Sequence, residues 1–342
     1  MKVVGVVEFL EKRNGHILLD VRTPAEYLSG HIPTAINLPL FSNEERVVVG
    51  TIYKQHNPEA AFLRGLDFAG AKMTDYVKTA IKLAPERKVA VHCWRGGKRS
   101  GSLGWLLEFA GFEVNVLEGG YKSYRKAIRE SPVWSQLKLI VLGGSTGSGK
   151  TDLLHQLAAL GEQVVDLEAL AHHKGSSFGA IGQCPQPSIE QFENNLYGVI
   201  SQLDCSRRIW IENESRTIGK IYTPDYFWEA FKDATLIELN ISFEARLQRL
   251  INEYACFDKP FLEQAFQRIE RRLGNLNCKI ALEALVNDDF HTAATIALRY
   301  YDKSYSLSTE RVGFQKILTL PMQEKSPALV HQLIQLADEQ RL

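Results

Sequence analysis

Apolar residues in this chain come in short runs separated by amphipathic stretches. Segments 16–21 (HILLDV), 35–40 (AINLPL) and 88–93 (KVAVHC) are nearly continuous apolar runs of strand length, the pattern of strands buried on both faces. Segment 23–30 (TPAEYLSG) reads as a short helix closed by Gly30, and 101–112 (GSLGWLLEFAGF) has helical spacing with Gly111 as its stop. Segment 113–120 (EVNVLEGG) gives a further strand and turn. This alternation predicts a parallel sheet covered by helices. Residues 41–86 are long for a connection and mostly helical, so they form either a functional element or a packing lid. The polar stretch 129–136 (RESPVWSQ) marks a boundary, giving domains 1–131 and 132–342. Beyond it, 137–144 (LKLIVLGG), 163–167 (QVVDL), 207–213 (RRIWIEN) and 234–240 (ATLIELN) predict the strands of a second α/β domain, and from about 242 onward the pattern is helical to the C-terminus. No internal repeat, low-complexity tract or long linker is visible.

A length of 342 residues fits two domains, and 45% apolar residues suffice for ordinary cores. The formal net charge is zero, which excludes a generic polyanion binder. The distribution is uneven: residues 1–135 hold 19 Lys and Arg against 14 Asp and Glu, and the remainder holds 21 against 26. A bound nucleic acid is therefore expected to lean on the N-terminal half or on local patches. The five cysteines, 93, 184, 205, 256 and 278, are odd in number and lack CxxC spacing, which argues against a disulfide framework or a Cys-rich zinc site. The N-terminal apolar run is broken by Glu8 and Glu11 and does not read as a signal peptide. No run approaches the roughly 18 apolar residues of a membrane span. A reducing cytoplasm is the expected location, with no membrane partner.

The first candidate chemistry lies at 91–100 (VHCWRGGKRS), where a strand ends and a helix begins. Gly96, Gly97 and Gly101 permit a tight turn whose backbone N–H groups point inward, a design that holds an anion. The same field lowers the pKa of a central cysteine and makes it a nucleophile. Cys93, Trp94, Arg95, Gly96, Gly97, Lys98 and Arg99 form this loop, with Cys93 and Arg99 as catalytic candidates. The alternative for Cys93 is a core cysteine at a strand end.

Asp20-Val21-Arg22, Glu26, Gly30-His31-Ile32-Pro33 with Ala35 and Asn37, the cysteine loop and Gly119-Gly120 together resemble the rhodanese domain over nearly all of 1–130. The resemblance implies that the loop cysteine carries sulfur or selenium. One departure stands out. Five residues lie between Cys93 and Arg99, where common sulfurtransferases have four, and His92 precedes. The wider loop resembles the dual-specificity phosphatase branch and suits a tetrahedral oxyanion such as phosphate or selenophosphate.

The second candidate, Gly144-Ser145-Thr146-Gly147-Ser148-Gly149-Lys150-Thr151, is a complete phosphate-loop pattern between an apolar strand and a helix. Its N–H groups cradle two linked phosphates, Lys150 neutralises them and is a catalytic candidate, and the Thr151 hydroxyl can hold Mg²⁺. ATP, GTP and an allylic prenyl diphosphate all present such a group. Asp166, Glu168, Glu212 and Glu214 follow strands, with Arg216 close by, and Glu212 is the leading metal-side acid; acids here also often cap helices. The stretch His172–Gly179 reads as a loop for phosphate or RNA contact, or as a solvated one, since no third metal ligand has convincing spacing. Tyr300, Tyr301 and Tyr305 among basic residues are base-stacking candidates, with core packing as the commoner outcome.

A rhodanese-like domain followed by a P-loop domain, with CWRGGKRS, LEGGYKSYR, GGSTGSGKT, DLEALAHHKGSSFG, QPSIEQFEN and IWIENESR in that order, resembles the bacterial tRNA 2-selenouridine synthase family over essentially the whole chain. Lys98 falls where that family has a less polar residue. The resemblance implies an α/β fold and a transferase acting on the wobble uridine of tRNAs for Lys, Glu and Gln. The 2-thio sulfur is geranylated from geranyl diphosphate, and selenophosphate then replaces the geranylthio group with selenium. It implies substrates rather than a tightly bound cofactor, with Mg²⁺ as an optional ion and a selenophosphate-producing enzyme as a possible partner. Cys93 would either hold the selenophosphate oxyanion or carry selenium covalently. A shared cleft lined by Arg95, Lys122, Arg125 and Lys126 is expected to receive the tRNA. The competing readings are a rhodanese-superfamily phosphatase fused to an ATP-dependent small-molecule kinase, and a non-catalytic nucleotide-gated binding module.

Overall fold

The computed structural model describes residues 1–12, 15–321 and 328–342, without the side chains of 306–311 and 321. Contacts divide the chain into Met1–Ser131 and Pro132–Leu342. Each unit is built around a five-stranded, wholly parallel sheet.

The first sheet contains β1 (Lys2–Val4), β2 (Ile17–Asp20), β3 (Ile36–Asn37), β4 (Lys88–His92) and β5 (Glu113–Leu117), in the order β1-β5-β4-β2-β3. β1 is three residues at the sheet edge, too short to register as an apolar run. Adjacent parallel strands end on the same side, so the loops after β4 and β5 meet there. Those loops are the cysteine loop and the Gly119-Gly120 turn. Asn37 fixes the loop after β2 by donating through Nδ2 to the Asp20 and Arg22 carbonyls, 2.9 Å each. The insertion folds as three helices, Asn43–Gln55, Pro58–Gly70 and Met73–Leu83. Tyr76 and Ala80 seat the last of them in the same core as Val89, Val91 and Leu107.

The second sheet contains β6 (Lys138–Gly144), β7 (Gln163–Val165), β8 (Arg208–Glu212), β11 (Thr235–Asn240) and β12 (Lys316–Pro321), in the order β12-β11-β6-β8-β7. A two-stranded ribbon, β9 (Thr217–Ile218) and β10 (Ile221–Tyr222), lies apart from it. β6 is buried after its first residue, as its LIVLGG sequence requires. The phosphate loop, Glu212 and Glu214, and Asp166 and Glu168 lie at or just past the C-terminal ends of β6, β8 and β7 respectively, so three neighbouring strands deliver them to one edge. The boundary segment is not a loose linker, because Trp134 packs against Tyr197, Tyr226 and Phe227 in the second unit's interior.

The expectation of a wholly helical C-terminal region needs one correction. After four helices, from Phe243–Tyr254 to Phe290–Val312, β12 returns to pair in parallel with β11 along six residues and becomes a sheet edge. KILTLP is short and flanked by Leu- and Glu-rich helical sequence, so local periodicity hides it. Among the described residues, no helix is long and apolar enough to cross a membrane.

Arg246 ties the helices to the phosphate loop. It is 6% exposed, donates to the Thr146 carbonyl at 3.1 Å and forms a two-point pair with Asp302 at 2.7 and 2.9 Å. Arg246→Ala leaves Asp302 and that carbonyl without their donor, and is expected to lower stability by about 3 kcal/mol in urea unfolding. An unchanged midpoint would show that the pair is not a brace.

Candidate active site

In the first unit, Cys93 is 3% exposed, and its carbon framework belongs to the apolar core. Its sulfur nevertheless has polar partners. The Ser100 hydroxyl donates to Sγ at 3.2 Å. Burial alone pushes the thiol up. That rise is outweighed by the Ser100 hydroxyl, the backbone N–H groups of Ser100 and Arg95, and the Arg99 guanidinium, so the thiol lies below its ordinary value. Arg99 is aimed by Glu26, which accepts from both terminal nitrogens at 2.6 and 3.1 Å. Glu26 also closes a capping box by accepting from the Thr23 N–H at 3.0 Å. The helix Lys98–Phe109 begins at Gly97 without a side-chain cap, so its first N–H groups are left for the loop.

The Gly119-Gly120 turn locks the cysteine loop. Tyr121 and Lys122 N–H groups donate to the Cys93 and Trp94 carbonyls at 2.8 and 3.0 Å. Gly120 has φ +63°, and a Cβ there would lie 2.4 Å from the Cys93 oxygen. Gly96 has φ +64°, and a Cβ there would lie 2.7 Å from the Gly119 nitrogen. Each loop therefore needs glycine for the other's sake. His92 is fully buried, and burial pushes its pKa down to about 4, so it adds no positive charge at neutral pH. Asp20 and Arg22 form a buried pair at 2.6 Å beneath the loop, with the guanidinium 3.9 Å from the Tyr121 ring centre.

Of the expected RNA-contact residues, Arg95, Lys122 and Lys126 are exposed and Arg125 is half-buried. Lys98 reaches the Phe62 ring in the insertion, 4.4 Å away, so the insertion touches the active loop.

In the second unit, the phosphate loop opens on a cleft of about 2190 Å³. Gly147 and Gly149 both have φ +81°, a conformation that glycine adopts without strain. Lys150 Nζ donates to the Gly144 carbonyl at 2.8 Å, resting on the loop it serves. Tyr305 fixes the loop's start by accepting from Gly144 N–H at 2.7 Å and donating to Glu238 at 3.0 Å. Its ring also lines the cleft. Tyr300 and Tyr301 line the cleft, and Tyr301 accepts from the Ser177 N–H at 2.9 Å.

The acids divide unevenly. Thr151 Oγ1 donates to Glu168 Oε2 at 3.2 Å, and Glu168 and Glu214 line the cleft. Glu212, expected at the metal, is fully buried, accepts the Glu168 N–H at 2.8 Å and does not line the cleft. Its role is to anchor Glu168. Asp166 caps its own helix by accepting the Ala169 N–H at 2.7 Å and pairs with His155 at 2.9 Å. Burial, followed by neighbouring carboxylate charge, raises Glu212 and Glu214, and burial raises Glu168. Among the described residues, no three His, Cys, Asp or Glu converge as a metal cage. Thr151 and Glu168 present hard oxygens, the kind of donor that Mg²⁺ takes.

His173 to Ser177 line the cleft, whereas His172 turns away to the Pro185 carbonyl at 2.9 Å. Sequence alone did not point to Arg249, Arg268, Arg271 and Arg272, which also line the cleft, Arg249 in an ion pair with Asp152. Summed over the second domain, acidic residues concealed them. The spacing of Arg268, Arg271 and Arg272 along one helix was the available signal.

The family model described as the tRNA 2-selenouridine synthase AAA domain matches residues 137–320, and the rhodanese-like domain model matches 6–127. A tRNA 2-selenouridine synthase of Sulfurovum sp. (strain NBC37-1) is 35% identical over 333 residues, covering 87% of this chain and 90% of that protein. The chain belongs to the tRNA 2-selenouridine synthase family. The synthase of Shewanella frigidimarina (strain NCIMB 400) is 38% identical over 283 residues, covering 75% of each chain. The cysteine loop lies within the rhodanese-like match and the phosphate loop within the AAA-domain match.

Alkylation of Cys93 by iodoacetamide, read by peptide mass, is expected to titrate below the ordinary thiol range. Deprotonation favoured by the fold means that the reactive thiolate persists to lower pH. Ser100→Ala removes the first stabilising donor and is expected to move the midpoint upward. Buried Cys278, whose thiol burial pushes up, serves as the unreactive control. A Cys93 midpoint insensitive to Ser100→Ala would contradict the cradle.

Proposed function

We propose that the chain converts 2-thiouridine at the tRNA wobble position to 2-selenouridine in two transfers, acting on the Lys, Glu and Gln acceptors. In the first, the thione sulfur attacks C1 of geranyl diphosphate, the C1–O bond breaks, diphosphate departs and the base loses its N3 proton to solvent. The backbone N–H groups of Gly147 to Thr151 and the Lys150 ammonium stabilise the charge that develops on the leaving group. Thr151 and Glu168 would hold a Mg²⁺, which adds positive charge at the same oxygens. Glu214, raised to about 8 by burial and the neighbouring Glu168 charge, adds less repulsion to an incoming diphosphate than an ordinary carboxylate would. In the second transfer, selenium of selenophosphate attacks C2 and the geranylthiolate leaves with a proton; the Cys93 thiolate then attacks phosphorus, the Se–P bond breaks to free the 2-selenouridine, and water releases phosphate from the cysteine. Arg99 and the cysteine-loop N–H groups hold the phosphoryl oxygens.

The observation that carries this reading is the depressed Cys93 thiol inside an anion cradle, in a chain whose family is defined by selenouridine synthesis. The five-residue spacing from Cys93 to Arg99 also suits a phosphate monoester. On that second reading, Cys93 would hydrolyse p-nitrophenyl phosphate and Lys150 would support ATP turnover.

The test incubates 2-thiouridine tRNA with geranyl diphosphate and selenophosphate and reads nucleosides by mass. Lys150→Ala is expected to lower geranylation about 100-fold or more. Cys93→Ala is expected to leave geranylation intact and to abolish selenation. Full selenation by Cys93→Ala with normal tRNA binding would refute the assignment, and Cys93-dependent aryl phosphate hydrolysis without modified uridine would favour the second reading.

A further inference from the structure

The P-loop cleft does not end in polar side chains. Thr146, Ser176, Leu250, Tyr254 and Tyr301 line both the cleft and an adjoining recess of about 70 Å³. Deeper residues belong to the recess alone, among them Phe178, Leu262, Phe266, Leu285, Ala293 and Ala297. All six are buried hydrocarbon side chains from one loop and three packed helices. The Tyr301 hydroxyl is already engaged by the Ser177 N–H at 2.9 Å, so it presents its ring to the recess rather than an unmet polar group. An apolar space of this kind is poorly hydrated and favours a hydrocarbon ligand.

We propose that this recess seats the distal isoprene unit of the prenyl diphosphate and thereby sets its chain length. The proposal rests on the geranyl diphosphate reading above and adds the site for the tail. At about 10–15 Å³ of probe volume per water-sized atom, 70 Å³ takes roughly five to seven heavy atoms. One isoprene unit has five carbons. With the diphosphate in the cradle, the first isoprene unit crosses the rim at Thr146 and Leu250 and the second fills the recess. A five-carbon chain does not reach it and a fifteen-carbon chain exceeds it. Ala293 and Ala297, one helical turn apart, leave the volume that larger residues would close.

The experiment measures binding of inorganic pyrophosphate and of dimethylallyl, geranyl and farnesyl diphosphates to the full chain by calorimetry, with Mg²⁺ present. Geranyl diphosphate is expected to bind up to about 1000-fold more tightly than dimethylallyl diphosphate, as burial of five carbons implies, and more tightly still than pyrophosphate. Ala297→Leu should abolish that preference and leave pyrophosphate affinity unchanged, which also reports an intact fold. Leu285→Ala deepens the recess and should shift preference toward farnesyl diphosphate. If Ala297→Leu binds pyrophosphate normally and keeps the geranyl preference, the recess is not the tail site, although the geranyl reading stands. If the unsubstituted protein binds pyrophosphate but does not prefer geranyl diphosphate, the geranyl reading fails and this proposal with it. If Ala297→Leu loses pyrophosphate binding, Leu285→Ala decides, and an unshifted chain-length preference overturns the proposal.

Discussion

Removing an anion from water requires the protein to replace the hydration it loses, and that requirement shapes the first unit. A thiolate on Cys93, at 3% exposure, has to be solvated by fixed donors. The Ser100 hydroxyl, the Arg95 and Ser100 N–H groups and the Arg99 guanidinium supply them. Those donors face inward only because the loop turns through Gly96, which packs against Gly119 and Gly120 without a Cβ on either side. The strand order brings the two loops together, since β4 and β5 are parallel neighbours. Glu26 completes the arrangement by aiming Arg99 while capping its own helix.

The second unit solves a related problem for an anion that arrives with its substrate. Its donors are backbone N–H groups of the phosphate loop together with Lys150, which rests on the Gly144 carbonyl. The acids beside them are raised by burial, Glu214 to about 8. Tyr305 and Arg246 reach the loop from the C-terminal helices and hold its backbone in place. The helical region is therefore part of the phosphate site as well as a cover for the sheet.

Much of this was legible in the sequence because it is local. The cysteine loop, the phosphate loop and the strands before them are contiguous segments whose glycines and apolar runs declare their conformation. Contacts between distant segments were not legible. β12 is recognisable only by its pairing with β11, and Tyr305 joins the phosphate loop across 161 residues. The exchange of Glu212 for Glu168 as the acid facing Thr151 depends on which carboxylate ends up behind the backbone and which ends up in front of it. The arginines of the cleft show the same limit for charge: a domain-wide excess of acid says nothing about which side chains line one cavity.

The division of labour between the two cradles is the central claim, and supplying the intermediate tests it most directly. Lys150→Ala protein would be given tRNA already carrying S-geranyl-2-thiouridine, with selenophosphate and no geranyl diphosphate, and product formation would be followed by nucleoside mass in a single turnover. The account predicts selenation at the rate of the unsubstituted protein, because only the cysteine loop is required for that step. A variant that fails to selenate the pre-geranylated tRNA, while still binding it, would contradict separate roles for the two sites.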